Sequence, residues 1–102
     1  MLDIESIKDE LSPVFKKYDV NSAVLFGSYA KKNARDNSDV DILVDSGLKG
    51  LAFFGLLEDV VNALGKPVDL IDVTQVDPNS VVMNEINQTG VMIYGRQIRG
   101  LL

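Results

Sequence analysis

The sequence predicts an α/β (α+β) fold, a mixed sheet of about four strands flanked by helices. Two observations carry that expectation. Short apolar runs bounded by Gly, Pro or Asp alternate with segments whose apolar residues recur every three or four positions. The 102 residues, 46% of them hydrophobic, fit one domain over 1–102 and leave little room for a second core.

The elements follow in order. Leu2, Ile4, Ile7, Leu11, Val14 and Phe15 have the spacing of an amphipathic helix over 2–18. Pro13 is expected to end or kink it, or to start a second turn after Ser12. Ser22 to Phe26 reads as a buried strand ending at Gly27, and Ser28 to Lys32 as a short helix with a polar loop to Ser38. Asp39 to Asp45 reads as a strand with acids at both ends. Gly47 and Gly50 bracket the turn into a helix over 51–64, which Gly65-Lys66-Pro67 stops. Val68 to Val73 is a third strand. Asp77-Pro78 resembles an N-cap with proline in the first helical position, opening a helix that carries Val81, Val82 and Ile86 and ends near Gly90. Val91 to Tyr94 is a last strand, and 95–102 a tail without a clear pattern.

Composition narrows the chemistry. There is neither cysteine nor histidine, which removes disulfides, thiol nucleophiles, the Ser-His-Asp triad and the usual zinc ligands. Catalysis must then rest on carboxylates, Lys, Arg, hydroxyls, backbone amides or a hard metal held by oxygen. With 10 basic and 15 acidic side chains the net charge is -5, which argues against broad nucleic-acid binding. No apolar run approaches the ~20 residues of a membrane helix, and acids near the start do not suit a signal peptide. No membrane contact and a cytoplasmic location are expected.

The informative stretch runs from Gly27 to Asp41. Residues two apart in a strand face one side, with Cα atoms roughly 6.5–7 Å apart. Asp39 and Asp41 therefore project together, opposite Val40, Ile42 and Val44. Their repulsion would be relieved by a cation, and an all-oxygen ligand set favours Mg²⁺ or Mn²⁺. The same alternation sets Asp69 against Val68 and Leu70. It could complete a cluster of three acids if the third strand neighbours the second. Asp72 has the opposite parity and suits a surface or turn role. The plainer alternative is that Asp39 ends a loop and Asp41 faces solvent. Gly27 permits close backbone approach or a positive φ. Ser28 would open a short helix whose free N–H groups favour an anion, or would serve only as an N-cap.

Together these residues resemble a known family. Leu25-Phe26-Gly27-Ser28-Tyr29-Ala30, then Ser38-Asp39-Val40-Asp41-Ile42-Leu43-Val44, then Val68-Asp69-Leu70-Ile71 resemble the nucleotidyltransferases that include the palm of DNA polymerase β. Within them the chain is similar to the minimal nucleotidyltransferases of prokaryotes. The resemblance implies a polymerase-β palm-like fold and in-line attack at the α-phosphorus of a nucleoside triphosphate such as ATP. Gly27 and Ser28 would hold the triphosphate, Asp39 and Asp41 two Mg²⁺ ions, and Asp69 the acceptor-side ion. Where relatives often have Arg-Gly, this chain has Lys31-Lys32. Lys31 supplies charge without a bidentate fork. Lys32 is strained if the position needs positive φ, which Asn33 would tolerate better. Arg35 could reach a phosphate or pair with Asp36.

Minimal nucleotidyltransferases often pair with a helical HEPN toxin, and the resemblance implies that this chain is the antitoxin that transfers AMP to it. The helix over 51–64 has an apolar face wider than one sheet needs, from Leu51, Phe53 and Phe54 to Val60, Val61 and Leu64. It marks an interface, with a partner or with a second copy in a homo-oligomer, or else it is all core. Tyr94 and Leu101-Leu102 are further contact candidates. A transferase acting on a small-molecule hydroxyl, and a binding module without catalysis, remain open.

Overall fold

The computed structural model describes residues 2–95. Leu101 and Leu102 lie outside the described residues. The order is helix α1 (Ile4–Lys17), strand β1 (Ser22–Phe26), helix α2 (Gly27–Ala30), strand β2 (Val40–Asp45), helix α3 (Gly50–Leu64), strand β3 (Val68–Asp72), a 3-10 turn (Val73–Gln75), helix α4 (Val81–Thr89) and strand β4 (Val91–Tyr94). The sheet order is β3-β2-β1-β4. β1 pairs antiparallel with β2 and β4, whereas β2 and β3, joined through α3, run parallel. This is the mixed four-stranded sheet the sequence predicts. No helix among the described residues is long and apolar enough to cross a membrane.

The two faces of the sheet do different work. On one, Ile7, Leu11 and Phe15 of α1 and Leu56, Val60 and Leu64 of α3 pack on Ala23, Leu25, Val40, Ile42 and Val44. On the other, Met83 and Ile86 of α4 pack on Val24, Phe26 and Leu43, with Ile71, Val73, Val76, Val82 and Met92 partly buried around them. The strand alternation predicted for β2 is therefore met, with Val40, Ile42 and Val44 on the first face and Leu43 on the second.

Two local expectations need correction, and a third is settled between its alternatives. Pro13 neither ends nor divides α1. An interior proline costs about 3 kcal/mol, whereas each buried side chain of the Ile7-Leu11-Phe15 stripe contributes about 1.5–3 kcal/mol, and Pro13 itself faces solvent. Helix α4 is capped by Ser80, whose Oγ accepts from the Met83 N–H at 3.2 Å. Asp77 instead folds a turn, accepting from the Asn79 N–H at 2.9 Å. Starting there, the helix buries Met83 and Ile86 while Val81 is exposed. Asp72 takes the turn role but not a surface one, being only 3% exposed. It accepts from the Ser46 N–H and hydroxyl and from the Thr74 N–H and hydroxyl. Burial pushes its carboxyl up, but those donors outweigh it and hold it below the usual range.

Other expectations hold. Gly65 stops α3 in the left-handed conformation, its N–H donating to Val61 O. By contrast Tyr94, a contact candidate in the sequence, is half-buried with its ring 5.3 Å from that of Phe15 and packs on the first face. The loop after α2 does need a positive φ, and it falls on Lys32, at +61°. A side chain there is strained by about 1–2 kcal/mol, part of which glycine returns through its freer unfolded chain. Lys32→Gly is therefore expected to stabilise the protein by about 0.5–1 kcal/mol. Urea unfolding measures it, and a lower midpoint for the glycine variant would refute the strain.

Candidate active site

The site is assembled where β1 leaves the sheet. Phe26 stands opposite Asp41 in the antiparallel register, and the chain then turns sharply through Gly27 at φ +72°. A Cβ built on Gly27 would run into the Asp41 carboxylate, so only glycine lets the backbone come this close. Ser28 follows in the first turn of α2, half-buried beside the site. The glycine's expected roles, positive φ and close approach, are both present.

The acids come from the neighbouring strands. Asp41 and Asp69 are register partners across the parallel β2–β3 pair, and both lie on the face that α4 covers only in part. Asp39 stands just before β2, which begins at Val40 rather than at Asp39, and it is exposed. Burial, then the charges of Asp69, Asp39 and Glu85, push the Asp41 carboxyl up from 3.8 to about 6. No Lys or Arg forms an ion pair with Asp39, Asp41 or Asp69 among the described residues. Asp72, of opposite parity and engaged by Ser46 and Thr74, is turned away from this cluster.

The predicted cations divide. Lys31 closes α2, its N–H donating to Gly27 O at 3.1 Å, and its Nζ lies 3.7 Å from Glu85 Oε2. Arg35 is exposed and its backbone N–H donates to Ser38 Oγ at 2.9 Å. It makes no ion pair with Asp36, whose carbonyl instead accepts from Lys66 Nζ at 2.7 Å. Glu85 is the neighbour that sequence reasoning misses. It sits between buried Met83 and Ile86 on α4, and no motif or spacing links it to residues more than forty positions earlier.

The donor set fits a hard divalent ion. Asp39, Asp41 and Asp69 offer carboxylate oxygens without an ion-pair partner among the described residues, next to a turn that carries no Cβ. Among the described residues no three acids are drawn close enough to enclose an ion unaided. That suits Mg²⁺, which usually takes one or two protein carboxylates and completes its shell with water and substrate phosphate.

This fold and this arrangement of Gly-Ser turn and acids define a nucleotidyltransferase. Residues 9–99 match the family "Polymerase beta, Nucleotidyltransferase", and the chain belongs to that family. It is 34% identical over 80 residues to "Putative protein adenylyltransferase MJ0435" of Methanocaldococcus jannaschii, covering 76% of this chain and 85% of that one. It is 39% identical over 77 residues to "Protein adenylyltransferase MntA" of Thermococcus cleftensis, covering 70% and 78%. Its fold is similar to a chain of a toxin-antitoxin crystal structure with AMP-PNP, at a TM-score of 0.74, 26% identity and coverage of 88% and 74%. A chain of the tri-AMPylated Shewanella oneidensis HEPN toxin in complex with MNT antitoxin shares the fold at a TM-score of 0.68 and 22% identity, covering 91% and 73%.

The strained charge of Asp41 gives a pH-dependent prediction. A folded carboxyl raised to about 6 stabilises the fold relative to an ordinary one only while it is protonated, and that advantage is lost as pH rises through about 6. In EDTA at pH 8, Asp41→Asn should therefore stabilise the protein by about 1 kcal/mol, a figure reduced for solvent screening. The gain should shrink towards zero near pH 4. Thermal melts at both pH values test this, and equal shifts at the two would contradict the assignment.

Proposed function

We propose that this nucleotidyltransferase moves AMP from ATP onto a hydroxyl of a partner protein, a helical HEPN-type toxin for which it is the antitoxin. The observation that carries the reading is the placement of Asp41 beside Asp69 in register, with the Gly27 backbone packed against Asp41. That juxtaposition sets a turn without a side chain next to carboxylates suited to a hard metal. Relatives named protein adenylyltransferase, and a similar chain in a toxin-antitoxin structure with AMP-PNP, support the donor and the partner. So does an apolar surface on α3, where Leu51 is 90% and Phe54 66% exposed. Work on ATP by a chain without cysteine fits the cytoplasm.

In this reading Gly27 and Ser28 hold the triphosphate through backbone N–H groups and the Ser28 hydroxyl, and Lys31 and Arg35 add positive charge at the phosphates. Asp39, Asp41 and Asp69 would hold Mg²⁺, or Mn²⁺ in its place. When bound, two such ions neutralise charge on the triphosphate and on the attacking and leaving oxygens. The acceptor hydroxyl oxygen attacks the α-phosphorus and the bond to the β-phosphate breaks, releasing pyrophosphate. Asp69, exposed at the edge strand, lies on the open side and takes the hydroxyl proton. No protein nucleophile is needed, in keeping with the absence of His and Cys.

The test is transfer of label from α-labelled ATP, with Mg²⁺, to the product of the neighbouring gene. Label should appear on that protein, and Asp39→Asn/Asp41→Asn should lower transfer by on the order of a hundredfold or more. Transfer undiminished in that variant would refute the acid assignment. Label on a small-molecule hydroxyl instead of the protein would replace the acceptor.

A second prediction separates the acids. Asp69→Asn should lose transfer but keep nucleotide affinity within about threefold, because its share falls on the acceptor side. Calorimetry with a non-transferable ATP analogue reads the affinity, and wild-type transfer by Asp69→Asn would move the proton acceptor elsewhere.

A further inference from the structure

Glu85 is the residue of α4 that faces the phosphate turn. Its flanking neighbours Met83 and Ile86 are buried against the sheet, which fixes the helix and puts the Glu85 side chain at the rim of that face. There its Oε2 lies 3.7 Å from Lys31 Nζ. The backbone of Lys31 is held behind the turn, its N–H bonded to Gly27 O. The pair thus bridges the end of α2 and α4 beside the Gly27 turn. Among the described residues it is the only ion pair made by a cation of the phosphate loop.

The loop's other cations, Lys32 and Arg35, are exposed, while Asp39, Asp41, Asp69 and Glu85 concentrate negative charge in one place. In the proposed site a triphosphate would draw on Lys31, which Glu85 already engages. We propose that Glu85 is a positioning residue that clasps Lys31 in the nucleotide-free site and competes with the triphosphate for it. The inference deepens the nucleotidyltransferase reading above and rests on it.

The magnitudes favour exchange. The side chains of Lys31 and Glu85 are 42% and 35% exposed, and an ion pair this open is worth about 0.2–1 kcal/mol. A phosphate chain, carrying more than one charge and several acceptor oxygens, is the stronger partner for an ammonium group. Lys31 therefore transfers to the nucleotide, but breaking the clasp weakens nucleotide binding by the energy of the pair. Glu85 makes the empty site less receptive to phosphate than Lys31 alone would make it.

Calorimetry with Mg²⁺ and α,β-methylene-ATP tests this on the full chain, with Mg²⁺ and inorganic triphosphate as a probe that has no base. Glu85→Gln should tighten binding about two- to fivefold, the equivalent of such a pair. Lys31→Gln should weaken it. In the Lys31→Gln background, Glu85→Gln should change affinity less than about twofold, because nothing is left to release. Glu85→Asp keeps the charge but is one methylene too short to hold Lys31, so it should behave like Glu85→Gln. Weaker or unchanged binding by Glu85→Gln would overturn the clasp. So would a gain that persists without Lys31, or wild-type affinity in Glu85→Asp, since either leaves only the field of a nearby charge. Wild-type binding that depends on Asp39 and Asp41 but shows no Lys31–Glu85 coupling sinks the clasp alone. If neither probe binds the wild-type protein, the proposed ATP site fails and the clasp with it.

Discussion

The close approach of the Gly27 backbone to the Asp41 carboxylate is the constraint on which the site depends. Because β1 and β2 are antiparallel with Phe26 opposite Asp41, the chain leaving β1 must pass directly over an acid. Only a residue without Cβ and at positive φ can do so. Everything after that turn is then fixed in place: Ser28 beside the acids, Lys31 bonded back to Gly27, and Lys32 forced into a left-handed conformation to bring the loop away. A single alanine at position 27 would fill the space that the acids need open.

Such a site is costly to keep folded, and the architecture offsets the cost on the other face of the sheet. There α1 and α3 bury Ile7, Leu11, Phe15, Leu56 and Val60 completely, so stability is concentrated away from the acids. The second face holds the smaller cluster around Met83 and Ile86 of α4. Helix α4 is long enough to bring Glu85 to Lys31 and does not cover Asp41 and Asp69. The unfavourable charge of Asp41 and the strain of Lys32 are tolerated because neither lies where the main packing is made.

Much of this was legible because it rests on short periods. The two-residue alternation of β2 and β3 was enough to put Asp41 and Asp69 on one face and Asp72 on the other, and Gly65 marked the end of α3 by its place after the last apolar residue. What escaped involves competition between local signals and distant contacts. Pro13 reads as a break, but a stripe of buried side chains on the opposite side of α1 outweighs it. Asp77 and Ser80 are both good N-caps, and burial of Met83 with Ile86 selects Ser80. For Asp72 the turn role is local, through Thr74 two residues on, but its burial depends on Ser46 in the loop after β2, which no local signal reveals. Glu85 has no local signature at all, since only the docking of α4 on β1 brings it near the phosphate turn.

The same chemical group serves in different environments, which is how a chain with no histidine can divide labour among carboxylates. Asp41 is half-buried, pressed by Gly27 and surrounded by like charge, so its ionised form is the one most in need of a cation. Asp69, its register partner, is exposed on the edge strand and is open to an incoming acceptor. Asp39 stands outside the strand, free to follow whatever sits between the two. Glu85, in the proposed clasp, would govern how readily Lys31 is given up. In the proposed reaction it is position in the fold, rather than residue type, that would separate binding of a cation, reception of an acceptor and control of phosphate entry.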